Sequence, residues 1–302
     1  MKPIKFTLLV TTLAASFVLC LSTAGWGNYY KKGRHICSDF QKAERLHRAN
    51  PTEVDDEIAY AACLSLHGDP AKVIEGMNRF HHILNTTEHV FAALFIAEFI
   101  ESGGDFEIPI DIDKINEAIL AYGKVLAIIN SHPRYPRARP IGYRVYEKYH
   151  QMELRAYYHI PMLYRDKFST GFKGLHHEHL LTSSSYKGNR NLRTYPNYRL
   201  YTQDSLNKVI ESADRCLALP KKWYHNTKRY EFNRKVCQVL KGEAITLRPL
   251  EDKRLVLLAT ESCKRDLPIC REYNELYQKM DDIKEKSFSK LKNLSETYQV
   301  SL

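Results

Sequence analysis

His176-His177-Glu178-His179 is the one run in this chain with the side chains of a metal site. His176 and His179 are three residues apart and share a face if the run is helical. Two imidazoles and a carboxylate can hold zinc. The order differs from H-E-x-x-H, which sets a glutamate base beside two ligands. Gly174 and the run Ser183-Ser184-Ser185 flank the cluster as in a polar loop. The expectation is loop histidines and no metal. His81-His82, beside Phe80 and Ile83, read as helix-packing or surface residues. The chain has no nucleophile elbow, P-loop or glycine-rich dinucleotide turn, and no cofactor is expected.

A second chemistry is spread more widely. Residues 134–199 hold thirteen Lys/Arg against four acids, Glu147, Glu153, Asp166 and Glu178, and 10 of the 20 tyrosines. That surplus of nine is nearly the whole net charge of +10. Arginine interleaved with tyrosine supplies charge and flat stacking faces together, which suits anionic partners. The densest part is Arg137, Arg139, Arg144 and Arg155 with Tyr143, Tyr146, Tyr157 and Tyr158. These eight are the expected binding residues. The plain alternative is a solvated basic flank whose tyrosines pack inward.

The cysteines and the N-terminus bear on compartment. Lys2 and Lys5, the apolar stretch Phe6 to Leu21 and the small residues Ser22-Thr23-Ala24 read as a cleavable export signal. Cys20 would leave with residues 1–24. Cys37, Cys63, Cys216, Cys237, Cys263 and Cys270 remain, and an even set in an oxidising compartment predicts disulfides. Six cysteines allow 15 pairings. Position along the predicted helices favours the local ones, Cys37–Cys63, Cys216–Cys237 and Cys263–Cys270. The expected location is exported, periplasmic or secreted. The even count disfavours a cysteine nucleophile.

The elements that must carry these residues read as helices. Gly (13) and Pro (12) are scarce, which favours helices over a strand-and-turn design. Thr52 can cap a first helix, with Asp55, Asp56 and Glu57 in its first turn. Gly68 ends it, and Asp69 caps the next with Pro70 at its start. A third, apolar on nearly every face, runs from near Thr87 to Gly103-Gly104. A fourth carries Ile112, Ile115, Ile119, Tyr122, Leu126 and Ile129 as one seam. Five prolines, Pro133, Pro136, Pro140, Pro161 and Pro196, then break the rhythm. One helix is expected there, over Tyr143 to Tyr158, within an otherwise irregular segment. Helices return over Asp204–Leu219, Glu231–Lys241 and Leu250–Ser262, with a last one capped by Asp266.

Ala93-Leu94-Phe95-Ile96-Ala97-Glu98-Phe99-Ile100-Glu101-Ser102-Gly103 has small residues along a first helix and a glycine at the turn. Asp111-Ile112-Asp113-Lys114-Ile115-Asn116-Glu117-Ala118-Ile119 then opens a second helix. Ala59 to Phe80 follows the same plan. This pattern resembles a Sel1-like repeat of the tetratricopeptide superfamily over residues 54–130. It departs at Ile115, where the family prefers Ala, and at Leu120-Ala121, where the family has Trp-Tyr. The resemblance implies antiparallel helical hairpins stacked into a partner-binding surface.

The expected architecture is all-α. Residues 1–24 form the signal, 25–132 a helical-repeat unit, 133–201 an irregular basic, tyrosine-rich segment and 202–302 a C-terminal helical unit. The expected role is a binding or scaffold module for a protein or an anionic envelope partner. No intracellular nucleic acid and no transmembrane helix in the mature chain are expected. The alternative is an envelope hydrolase or exported metalloenzyme using His176–His179.

Overall fold

The computed structural model of the protein describes residues 39–67, 69–101, 112–131, 143–182, 198–222 and 225–300. Within these, the side chains of 143–151, 177–182, 198–201, 203 and 268 are not described. All the described secondary structure is helical. No described helix is long and apolar enough to cross a membrane. The chain divides into two compact units, one ending at Ile108 and the other running from Pro109 to Val300.

The first unit holds α1 (Phe40–Ala49), α2 (Val54–Ser65), α3 (Pro70–Thr87) and α4 (Val90–Glu101), each packed on the next. The Asp39 side chain caps α1 by accepting the Lys42 N–H at 3.1 Å. Asp69 caps α3 by accepting the Ala71 N–H at 3.0 Å, with Pro70 in the first turn as its sequence predicts. At α2 the cap position falls on Glu53 rather than Thr52, and no side chain fills it. The acids Asp55, Asp56 and Glu57 still occupy the positive end of that helix. Ala92 to Ala97 of α4 are all buried, and Phe95 stacks on Phe80 of α3 with centroids 4.0 Å apart. His81 and His82 lie on the surface of α3.

Small residues let α2 and α3 approach closely. A Cβ placed on Gly76 would lie 2.6 Å from the Ser65 nitrogen and 2.7 Å from the Ala61 oxygen, and would also strike the Ser65 hydroxyl. Two of those three atoms are backbone, so no rotamer change relieves the clash. Gly76→Ala is therefore expected to destabilise this unit by about 1–3 kcal/mol, as overpacking does. Alanine's better helix propensity, worth about 1 kcal/mol, works the other way. Urea unfolding checks it. A variant as stable as the parent would show that the two helices can part without cost.

The second unit holds α5 (Ile112–Ser131), α6 (Tyr143–Thr182), α7 (Tyr198–Ala218), α8 (Thr227–Ala259), the short α9 (Glu261–Arg265), a 3-10 turn (Leu267–Ile269) and α10 (Arg271–Tyr298). The division between units thus precedes α5, whose apolar seam packs on α6. The central helix α6 continues for 40 residues, through Pro161 and past the Tyr158 end that its sequence suggests. Burial explains the continuation. Leu163, Phe168, Phe172 and Leu175 are all core residues. Their burial, about 1.5–3 kcal/mol each, outweighs the roughly 3 kcal/mol that an interior proline costs. Likewise α8 runs unbroken through Gly242 and Pro249, where two helices are expected from the sequence. Val236, Leu240, Ala244, Leu247 and Leu255 bury one face along its length.

Disulfides lie in this unit too. Cys216 of α7 is bonded to Cys237 of α8, with Cα atoms 6.4 Å apart. Cys263 is bonded to Cys270 across the turn before α10, at 5.0 Å. Both are local pairs of the expected kind. Cys63 is also disulfide-bonded, while Cys37 lies outside the described residues.

Candidate functional site

Three buried acids organise the interior of the second unit, and each is held by cations. The first is Glu153 of α6. Its carboxylate lies 2.6 Å from the Lys222 ammonium and 3.0 Å from His225 Nε2. His225 is itself buried, and its Nδ1 accepts the Lys222 backbone N–H at 3.2 Å. With Nδ1 accepting, the proton sits on Nε2, facing the carboxylate. Burial pushes Glu153 toward protonation. Hydrogen bonds from His225 and Lys222 and the Lys222 charge pull harder, and its pKa ends below the ordinary value.

That direction fixes a pH dependence. The carboxylate is bound more tightly when ionised in the folded state than in the unfolded chain. Its contribution is complete above the unfolded value of about 4.3 and is lost as pH falls through the lower folded value. Glu153→Gln is expected to lower stability at pH 7 and to flatten the fall in stability below about pH 4. Urea midpoints at pH 7 and pH 3 measure it. An acid limb as steep in the variant as in the parent would remove Glu153 from the account.

The second acid is Glu243 of α8. Arg165 Nε donates to both its oxygens at 2.9 Å, and an Arg165 Nη2–H reaches the Lys284 carbonyl at 3.3 Å. Burial pushes Glu243 up, against the opposing pull of Arg165 and Ser287. The third is Glu251, which grips Arg254 one turn along α8 through two bonds of 2.6 and 2.7 Å. Arg254 is 0% exposed and its guanidinium lies 4.7 Å from the Phe172 ring centroid. Burial opposes its charge, but Glu251 and Tyr273 more than offset that, so its pKa is raised. Burial carries the Tyr273 phenol up to about 12 despite Arg254.

These pairs settle where several sequence candidates lie. His176 does not stand in an open loop. It is on α6, with Nδ1 2.8 Å from the Tyr273 hydroxyl and its ring stacked on Tyr277 at 4.0 Å. Among the described residues no three His, Cys, Asp or Glu side chains gather as a metal site would require. The side chains of His177, Glu178 and His179 are outside those residues.

Of the eight expected binding residues, Arg137 and Arg139 lie outside the described residues, as do the side chains of Tyr143, Arg144 and Tyr146. Tyr158 is a core residue at 3% exposure, edge-on to Phe232. Tyr157 is half-buried against the same core. Neither ring is an open stacking face. Arg155 is half-buried. Burial lowers its pKa and the Arg229 charge adds to that, with Tyr158 opposing. Arg165 and Lys167 belong to the same basic stretch but turn inward, Lys167 to the Asn116 side chain at 2.9 Å.

A further basic group lies outside the stretch 134–199. Residues 219–230 hold Lys221, Lys222, Lys228 and Arg229 and no acid. Lys222 reaches α6 through Glu153. Lys221, Lys228 and Arg229 make no ion pair among the described residues, and Arg229 is half-buried. The signal was present as local charge. It was masked by the larger surplus over 134–199. No family model, no curated protein and no solved structure matches this chain.

Proposed function

We propose that this is an exported, disulfide-bonded binding protein, periplasmic or secreted, that takes an anionic partner on the basic face of its second unit. Residues 54–130 would be Sel1-like antiparallel hairpins serving as scaffold or protein-binding surface. One observation carries the anion reading. Glu153, Glu243 and Glu251 are all committed to cations inside the fold, while Lys221, Lys228 and Arg229 make no ion pair among the described residues. Cations left over after internal pairing set a positive field that steers anions. The disulfides supply the argument for an oxidising compartment. Arg137, Arg139, Arg144 and Arg155 of the basic stretch 134–199 would be binding residues as well.

Salt elution from heparin resin tests the reading. The protein is expected to be retained and to elute later than a variant with Arg137, Arg139, Arg144 and Arg155 all changed to Ala. Identical elution would reduce the segment to a solvated flank.

A further inference from the structure

We propose that the Cys263–Cys270 disulfide is a thiol-exchange site, at which a low-molecular-weight thiol attacks Cys270 and opens the link while Cys216–Cys237 stays closed. The inference goes beyond the anion reading above and does not rest on it. Five described cysteines are disulfide-bonded. Four of them are sealed from water: Cys63, Cys216 and Cys263 are 2% exposed and Cys237 is 0% exposed. Cys270 is the exception and is only half-buried. The difference follows from where the two bonds sit. Cys216 and Cys237 join α7 to α8 within the main core of the second unit. Cys270 lies between the 3-10 turn and α10, next to Ile269, which is 77% exposed. Its partner Cys263 is buried in a smaller cluster with Leu255, Leu258, Leu267 and Tyr273. One sulfur of this bond therefore faces the surface and the other an apolar interior.

Exchange begins when a thiolate reaches a disulfide sulfur. Burial closes that route at Cys216, Cys237 and Cys263 and leaves it open at Cys270. In the first step the incoming sulfur bonds to Cys270 Sγ and the bond to Cys263 breaks. Cys263 Sγ leaves with the electron pair and takes a proton from water, since an apolar setting favours the thiol over the thiolate. In the second step another external thiolate attacks the external sulfur of the mixed disulfide and releases Cys270 as a thiolate. Two external thiols are oxidised to their disulfide and the protein disulfide is reduced to two thiols. The fold assists the second step. Cys270 holds the N-cap position of α10, a 28-residue helix whose first turn is capped by no side chain. Open N–H groups and the helix dipole stabilise a thiolate there, and a stabilised thiolate leaves faster. Reduction frees the two ends of the turn that delivers α10. Tyr273, three residues beyond Cys270, is the residue that meets His176 of α6 at 2.8 Å.

The oxidised full chain is incubated with reduced glutathione at about pH 8, where thiols ionise in part. Samples are quenched with iodoacetamide at intervals and mapped by mass spectrometry, with far-UV circular dichroism followed alongside. Cys263 and Cys270 are expected to become alkylated roughly tenfold faster than Cys216 and Cys237, or more, while helicity is kept. The transient glutathione adduct is expected on Cys270. Equal rates for the two pairs, or an adduct on Cys263, overturn the site. Two single variants read the same asymmetry from one free thiol each. With oxidised glutathione, Cys263→Ser is expected to form its mixed disulfide at Cys270 roughly tenfold faster than Cys270→Ser forms one at Cys263. Comparable rates in the two variants also overturn the site. Should either variant fail to fold, the ratio of rates within the parent decides.

Discussion

Arg254→Ala is expected to cost about 3–5 kcal/mol of stability, the largest effect of any single change considered. The guanidinium is wholly buried, and the Glu251 carboxylate opposite is 1% exposed. Removing one partner leaves the other charge in the interior with neither water nor a counterion, and that stranded charge is the source of the loss. The cation over Phe172 and the hydrogen bond to Tyr273 go at the same time. The double change Glu251→Leu, Arg254→Met strands no charge. It is expected to cost less than either Arg254→Ala or Glu251→Ala, since buried ion pairs often exchange with apolar residues at small net change. Urea unfolding of the three variants decides. If the double change costs as much as the sum of the two singles, the pair is not coupled as its geometry requires.

Cys216→Ala with Cys237→Ala is expected to cost about 3 kcal/mol. The bond closes a loop between residues 21 positions apart, and the chain-entropy estimate for that length is about 3 kcal/mol. Both sulfurs sit within the main core of the second unit, beside Phe232, Val236 and Leu240. The methyl groups that replace them leave some volume unfilled, which adds to the loss. The comparison is made with the parent kept oxidised, since a reductant would open the other disulfides as well. Equal unfolding midpoints for parent and variant would show that the bond is not formed in solution.

The fold was partly legible in the sequence, and the reasons differ element by element. Asp69-Pro70 announces α3 because a cap and a proline in the first turn act locally. The α5 seam is plain because one face is buried along its length. By contrast α6 and α8 hide their lengths. Pro161, Gly242 and Pro249 are local stop signals, and only the burial of distant partners overrides them. An ideal Cβ at Gly242 meets nothing within 4 Å, so that glycine serves no close contact.

The candidate site was legible in type more than in place. Arg155 stood out as a basic residue beside tyrosines, but those tyrosines pack inward at positions 157 and 158. Arg165 and Lys167 counted toward the same surplus and are spent on Glu243 and Asn116. Nothing in the spacing of residues links Glu153 to Lys222 and His225, or Leu154 to Asn233; only the packing of the helices brings these partners together.

Binding of the full chain to heparin, measured at about 0.01 M and 0.15 M salt beside uncharged dextran, tests the central claim most directly. Between those salt concentrations the Debye length falls from about 30 Å to about 8 Å. The account requires affinity for heparin that drops at least tenfold across that range and no affinity for dextran. Affinity indifferent to salt, or equal for the two polymers, would contradict it.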